Sequence, residues 1–216
     1  MRNRLLLLGV LLPLMSGCFV SRVDPEKPEL PLPVALPAQA DATGLFEAFA
    51  VAKAASTMCE SGSWDLHVLP WIYPIDRAGG YQASSIVFHM KPLSSGRLRL
   101  RSTDPKDAPL VERGFMTRPE DALPLLAGIE LARSIGAAEP LRSMISAELA
   151  PGATDPARYL LDTIRNYFHP VGTCPIGSAV GRHGDVLGID GLFVADASIM
   201  PTIPRANTNL TTAAIA

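Results

Sequence analysis

Glycine and proline interrupt this chain so often that a bundle of long helices is excluded. The 216 residues include 20 prolines and 17 glycines. Proline lacks an amide proton and glycine relaxes the backbone, so both end regular elements and favour shaped turns. Hydrophobic residues make up 48% of the chain and charged residues 19%, which is typical of a globular protein. We therefore expect an α+β fold with long, structured connections.

The charge and the cysteine content argue against several classes of protein. A net charge of −2 gives no electrostatic basis for binding a polyanion. The three cysteines, Cys18, Cys59 and Cys174, lie far apart in the sequence, so neither a zinc site nor a disulfide framework is expected. We expect no nucleic-acid partner and no metal.

The N-terminus resembles a secretory signal but admits a second interpretation. A basic start is followed by an apolar run, Leu5 to Met15, and then by Ser16-Gly17-Cys18. This pattern is typical of a signal peptide or, with Cys18 as the lipidated residue, of a bacterial lipoprotein. The alternative is an internal apolar strand in a chain whose start is assigned too late. We favour the cytoplasm, with a periplasmic or membrane-anchored location as the alternative.

The middle of the chain predicts a sheet. A proline-rich linker over 19–42 precedes a helix predicted over 43–56, where apolar residues recur at helical spacing. Three strands follow, predicted from Trp64 to Tyr73, from Ser84 to Met90 and from Gly96 to Ser102. In the third strand leucines and arginines alternate, so one face meets water. Together these segments predict an antiparallel sheet with one solvated side.

Capping residues predict two helices that flank this sheet. Thr117-Arg118-Pro119-Glu120 has the pattern of a capping box, in which the first and last side chains satisfy free amides, and predicts a helix to about Ile135. Asp155-Pro156 places a capping carboxylate before a proline and predicts a helix to about Tyr167.

Three of the four histidines have simple structural interpretations. His67 and His89 lie within strand patterns and are interpreted as hydrogen-bonded sheet residues, and His183 as a solvated loop residue. His169 differs, because it lies on a turn rich in glycine and proline. Imidazole titrates near neutrality, so a neutral His169 can accept a proton at working pH.

Three C-terminal stretches carry a family resemblance. They are His169-Pro170-Val171-Gly172-Thr173-Cys174, the run from Gly188 to Pro201, and Asn207-Thr208-Asn209. In this order they closely resemble the glucose–methanol–choline (GMC) family of FAD-dependent oxidoreductases. The runs Lys91 to Leu100 and Ser102 to Pro105 resemble the same family more weakly. The resemblance covers roughly residues 40–216.

The resemblance implies a domain organisation. Residues 1–40 would be the signal-like or wrongly assigned segment, 41–165 a substrate-binding α+β domain, and 166–216 a C-terminal segment that contacts FAD and completes an FAD-binding domain. The G-x-G-x-x-G turn that opens such a domain does not occur in this sequence. We therefore expect the C-terminal part of a longer enzyme, inactive alone, whose FAD-binding domain is missing or lies in a separate chain.

The resemblance also implies an activity. The family oxidises alcohols to carbonyl compounds by removing the hydroxyl proton and passing a hydride to flavin N5. By resemblance His169 is the base, and Asn209 matches the second active-site position and orients the small-molecule alcohol, although neighbouring Asn207 competes for that role. The alternatives are a non-catalytic, lipid-anchored binding protein derived from this domain, or a cap that joins a separate FAD-binding chain.

Several residues are expected to contact the flavin. They are Asp196, Ala197, Asn207, Thr208 and Leu210. Asp196 is expected to bond a ribityl hydroxyl or backbone amides. The free amides that open the last helix would stabilise negative charge on the reduced ring. Cys174 is interpreted as a small buried residue without redox chemistry.

Overall fold

The computed structural model describes residues 15–23, 51–74 and 81–216. The predicted signal-like segment before Met15, the linker over 24–42 and residues 43–50 of the first predicted helix lie outside the described residues. Within the described residues, no helix is both long enough and apolar enough to cross a membrane.

The described residues form seven strands and four α-helices. The strands are β1 (Met15–Val23), β2 (Ala52–Ala54), β3 (Leu66–Pro74), β4 (Tyr81–His89), β5 (Arg97–Arg99), β6 (Leu110–Glu112) and β7 (Ile145–Ala150). The helices are α1 (Ala122–Gly136), α2 (Leu141–Met144), α3 (Pro156–Thr163) and α4 (Thr208–Ile215), and two single 3₁₀ turns cover Pro119–Asp121 and Ala197–Ile199.

The chain packs as two compact units. Among the described residues, the sheet unit takes its members from Ser16–His89 and Ala122–Ile164, and the C-terminal unit comprises Met15, Met90–Asp121 and Arg165–Ala216. The chain leaves the sheet unit at Ile164, beside the predicted boundary between 165 and 166. The chain also passes from one unit to the other and back within the predicted substrate-binding domain, 41–165. The assignment of substrate binding to 41–165 and of FAD contact to 166–216 therefore stays a prediction.

The sheet unit is built on five strands in the order β2-β3-β4-β1-β7. β3 and β4 are antiparallel and keep one register from the pair Leu66–His89 to the pair Pro74–Tyr81. The two strands predicted here, from Trp64 to Tyr73 and from Ser84 to Met90, are confirmed. Helix α2 and strand β7 of this unit were not predicted.

Two predictions near the N-terminus are wrong. Ala52–Ala54, predicted as the end of a helix, form β2, whose residues pair with Leu66–Val68 of β3. Pairing with a neighbouring strand here overrides the helical spacing of apolar residues. Residues 19–23, predicted as linker, lie in β1 between β4 and β7.

Helix α1 covers one face of the sheet at very close range. A Cβ atom added to Gly128 would lie 2.2 Å from Cγ1 of Val87 on β4, so only glycine permits this approach. Around this contact lie fully or almost fully buried apolar side chains: Leu66, Val68, Val87, Leu125, Ile129, Ala132 and Leu160. Burial of such side chains stabilises the fold by about 1.5–3 kcal/mol each, and this layer forms the core of the sheet unit.

One helix cap is confirmed and the other is wrong. The Asp155 carboxylate accepts a hydrogen bond from Arg158 N at 2.8 Å and caps α3, which ends at Thr163, before the predicted Tyr167. The capping box at Thr117 does not form. The Thr117 hydroxyl donates to the Gly114 carbonyl, Glu120 pairs with Arg118, and a 3₁₀ turn precedes α1.

The C-terminal unit contains a two-stranded antiparallel ribbon of β5 and β6. The third predicted strand therefore exists but is shorter than predicted and pairs with β6 instead of joining the main sheet. Arg97 and Arg99 are exposed as predicted, and Leu100 is exposed as well, by 76%. The fully buried Asp121 carboxylate accepts from the amides of Leu93 and Ser94, each at 2.8 Å, which fixes the chain just before the ribbon.

Candidate active site

Two turns of the C-terminal unit lie side by side. The amide of Gly172 donates to the carbonyl of Ala197 at 3.3 Å, and the amides of Cys174 and Ile176 donate to Ser198 and Ile199, both at 2.9 Å. Gly172 has φ of +83°, a conformation that favours glycine. The turn that carries His169 and the predicted flavin-contacting turn are thus joined by backbone hydrogen bonds.

Asp196 organises the second of these turns. Its Oδ1 accepts a hydrogen bond from the amide of Ser198 at 2.7 Å and caps the 3₁₀ turn Ala197–Ile199. A backbone amide, one of the two kinds of partner expected for this carboxylate, thus bonds Asp196. Ala197 is half-buried beneath the ladder that its carbonyl makes with Gly172.

The imidazole of His169 is half-buried between two neighbours. The ring of Tyr167 meets it edge to face, with centroids 4.7 Å apart and planes at 77°. The Thr208 hydroxyl lies 3.4 Å from His169 Nδ1. Burial lowers the pKa of His169 below its ordinary value, because the charged form loses hydration. A neutral imidazole with a fixed ring plane is suited to accept a proton.

Tyr167 connects this imidazole to the start of α4. Its hydroxyl donates to Oδ1 of Asn207 at 3.4 Å. Burial raises the pKa of Tyr167, and the hydrogen bond to Asn207 opposes this in part. The phenol therefore stays neutral around neutral pH and holds Asn207 next to the ring that packs on His169.

The residues that open α4 divide between the interior and solvent. Thr208 is buried, whereas Asn209 and Leu210 are exposed, Leu210 by 83%. Successive helix residues point about 100° apart, so the helix that turns Thr208 towards His169 turns Asn209 away. Of the predicted site residues, the structure brings Thr208 to His169 directly and Asn207 through Tyr167. It does not bring Asn209 to the imidazole.

The opening of α4 also fits a negatively charged group. Asn207 precedes the helix but makes no side-chain capping bond, so the amides of the first turn are left without a side-chain acceptor. Free amides and the helix dipole together favour an anion at this end. The exposed Asn207, Asn209 and Leu210 flank it. The residues present are thus suited to the electron-rich edge of a flavin.

The remaining histidines are elsewhere. His67 on β3 and His89 on β4 belong to the sheet unit and are 5% and 3% exposed. Neither ring nitrogen of His67 has a hydrogen-bond partner among the described residues, so the interpretation of His67 as a hydrogen-bonded residue is wrong. His183 is exposed and accepts from Arg182 Nε at 3.0 Å, in line with a loop residue.

Cys174 was predicted to be buried, but the structure shows it only half-buried. Together with Thr173 and residues of the β5 strand and its end, Leu98, Arg99 and Leu100, it lines a shallow cleft. Its amide donates to the carbonyl of Ser198 and so contributes to the ladder between the two turns.

Sequence reasoning missed the role of Tyr167 and the contact that Thr208 makes. Tyr167 lies two residues before His169, so a local aromatic neighbour could have been suspected from the sequence. The contact between Thr208 and His169 joins positions 39 residues apart, and no local pattern reveals it.

Comparison with known proteins identifies the family. Residues 92–216, more than half of the chain, match the family model of the GMC oxidoreductases. The chain is 35% identical over 148 residues to alcohol dehydrogenase [acceptor] of Pseudomonas putida. This alignment covers 64% of this chain and 27% of that protein. The chain is also 35% identical over 161 residues to choline oxidase of Arthrobacter globiformis, covering 68% and 29%.

A solved structure agrees with the sequence comparisons. The FAD-dependent oxidoreductase of Chaetomium thermophilum superimposes with a TM-score of 0.61 at 28% identity, over 72% of this chain and 27% of that one. The chain thus spans less than a third of the length of each of these three relatives. A family match over more than half of the chain and a fold shared with a solved member lead to one conclusion: the chain belongs to the GMC oxidoreductase family.

Proposed function

We propose that this chain supplies the proton-transfer side of an FAD-dependent alcohol oxidoreductase. The observation that carries the proposal is the environment of His169, whose half-buried ring lies between Tyr167 and Thr208 and whose pKa is lowered by burial. The relatives named alcohol dehydrogenase [acceptor] and choline oxidase support alcohols as the substrate class.

His169 acts as the general base. It takes the hydroxyl proton of the alcohol, which raises electron density on the oxygen and makes the adjacent carbon a better hydride donor. The lowered pKa keeps the ring neutral, and hence able to accept a proton, to lower pH than an ordinary histidine allows. FAD, when bound, supplies the hydride acceptor, and the protein supplies position and electrostatics.

Asn207 orients the alcohol, in preference to Asn209. Its Oδ1 accepts from the Tyr167 hydroxyl, which leaves the amide NH₂ group as a donor for the substrate oxygen. Asn209 is exposed, and the rotation of α4 directs it away from His169.

The opening of α4 stabilises negative charge. Its uncapped first-turn amides, near Asn207, Thr208 and Leu210, provide donors and a positive dipole end for the flavin. The dinucleotide itself needs a binding fold opened by a G-x-G-x-x-G turn, which residues 1–216 do not contain. We therefore propose that the reaction also requires a nucleotide-binding domain outside these residues, and that 1–216 alone retains FAD weakly.

The test uses a flavin-loaded protein that contains this chain. Mixed without oxygen with a panel of primary and secondary alcohols, the wild type should lose its oxidised-flavin absorbance. The His169→Ala variant should be slowed about 100-fold or more, the contribution of a general base. His183→Ala, at an exposed histidine of the same unit, is the matched control and should react like the wild type. Reduction of His169→Ala at a near-normal rate would remove His169 from the mechanism.

A further inference from the structure

We propose that Thr208 is a positioning residue that selects the tautomer of His169. In this assignment the Thr208 hydroxyl accepts a hydrogen bond from Nδ1–H, so that the lone pair of Nε2 is free to take the proton of the alcohol. The inference rests on the proposed function, since it names the nitrogen that acts in it.

The geometry singles out Nδ1. The Thr208 Oγ1 lies 3.4 Å from it and Thr208 is only 7% exposed, so water competes poorly for the contact. Tyr167 presents its ring to the imidazole at 77° and offers the two nitrogens no hydrogen-bonding atom at the contact. Among the described residues, Thr208 is therefore the group that distinguishes one ring nitrogen of His169 from the other.

The position of the hydroxyl is set by the helix that Thr208 begins. The backbone carbonyl of Thr208 accepts a hydrogen bond from the Thr212 hydroxyl at 2.8 Å, one turn further along α4. Threonine is branched at Cβ and has few χ1 choices, so a fixed backbone restricts the hydroxyl to a few positions, one of which contacts Nδ1. The contact joins the histidine turn to α4 and is independent of any flavin or substrate.

The direction of the hydrogen bond follows from the proton balance. A threonine hydroxyl can donate or accept. If it donated to Nδ1, the neutral ring would carry its proton on Nε2 and could not take another there. If it accepts from Nδ1–H, the alcohol O–H bond breaks, an Nε2–H bond forms, and the Nδ1–H bond to Thr208 persists in the imidazolium. Only the second arrangement serves both states of the base.

The test measures the tautomer without flavin or substrate. The 216-residue chain is labelled with ¹⁵N-histidine, and the His169 ring signals are identified by their loss in His169→Gln. At pH 8, where the ring is neutral, the wild type should show a pyrrole-type Nδ1 and a pyridine-type Nε2. In Thr208→Val, which keeps the shape but removes the hydroxyl, the Nδ1–H population should fall at least threefold. Thr208→Ser, which keeps a hydroxyl, should resemble the wild type.

Two results would overturn the assignment. One is a wild-type His169 that carries its proton on Nε2, which the wild-type spectrum alone can reveal even if the valine variant fails to fold. The other is a Thr208→Val ring with the same tautomer as the wild type.

A second readout separates this inference from the proposed function. In the flavin-loaded protein, Thr208→Val should lower kcat for alcohol oxidation about 10-fold with little change in KM, and Thr208→Ser should restore it to within about threefold. If His169→Ala stays active while the tautomer shifts as expected, the proposed function fails and the Thr208 contact stands. If the tautomer does not shift while His169→Ala is inactive, the proposed function stands and the assignment of Thr208 fails.

Discussion

His67 is buried and His169 is half-buried, but the two imidazole rings have different neighbours. In both, burial is the main cause of a pKa below the ordinary value, and for His67 the cation of Lys53 adds to it. His169 has an edge-on tyrosine and a hydroxyl on Nδ1, whereas neither nitrogen of His67 has a partner among the described residues. A lowered histidine pKa therefore reports burial, and oriented neighbours are the better mark of a site.

The surroundings of the two rings explain this difference. His67 sits in the middle of paired strands, opposite Phe88 on β4 and Lys53 on β2, where regular packing fixes it. His169 lies on a loop whose geometry depends on a few specific contacts, among them the ladder to Ala197 and the hydroxyl of Thr208. Substitutions around His67 should consequently change stability, and those around His169 should change chemistry.

The largest expected effect tests the packing side of the comparison. Gly128→Ala places a methyl group against Val87 of the sheet that carries His67. We expect the free energy of unfolding in urea to fall by about 2 kcal/mol, as overpacked cores do, which is roughly a 30-fold change in the unfolding constant. The double variant with Val87→Ala, which removes the clashing atom, should recover part of the loss. Equal stability of wild type and Gly128→Ala would show that α1 and the sheet can shift apart at little cost in free energy.

A smaller effect tests the chemical side. In the flavin-loaded protein, Asn207→Ala should slow alcohol-driven flavin reduction about 10-fold, as expected for one lost hydrogen bond of roughly 1.4 kcal/mol. Asn209→Ala is the matched control on the same helical turn and should cost less, without loss of folding stability. If Asn209→Ala is the more damaging of the two, the second active-site position belongs to Asn209 after all.

The smallest effect appears as a pH dependence and concerns both histidines. Each has a folded-state pKa below its ordinary value, so the unfolded chain binds more protons as the solution is acidified. Their contribution to stability is therefore present above about pH 6.5. It is lost as pH falls from there through the folded-state pKa.

The corresponding measurement is a set of urea titrations between pH 8 and pH 5. His67→Phe keeps a buried ring that cannot be protonated and should lose stability less steeply than the wild type. It should also be at least as stable at pH 8, because two unpaired nitrogens are removed. His67→Phe/His169→Gln should be flatter still. Parallel curves for wild type and His67→Phe would mean that His67 is not the acid-sensitive group.

The parts of the fold that follow from local pattern were predictable from the sequence. β3 and β4 were predicted from their apolar residues, and Asp155-Pro156 starts α3 because its capping bond is made within one turn. β2 was not predictable, since three residues become a strand only by pairing with β3. The ribbon β5–β6 was mistaken for part of the main sheet because alternation shows a strand but not its partner.

The site divides in the same way. His169 was found because a short run of residues resembles a family, and Asp196 because its turn belongs to the same resemblance. The choice between Asn207 and Asn209 depends on which of them faces Tyr167, and that depends on the rotation of α4. The hydroxyl of Thr208 reaches His169 only after both turns are folded, so no sequence pattern could have shown it.

Phe168 has a practical consequence for anyone who wants this protein to withstand heat. It separates Tyr167 from His169, has φ of +62° and leaves 81% of its surface exposed. A bulky residue in that conformation costs about 1–2 kcal/mol, and asparagine tolerates it better. Engineering for thermal tolerance should therefore begin with Phe168→Asn on the loop and not in the sheet core, where Gly128 and Val87 leave no room for a larger side chain.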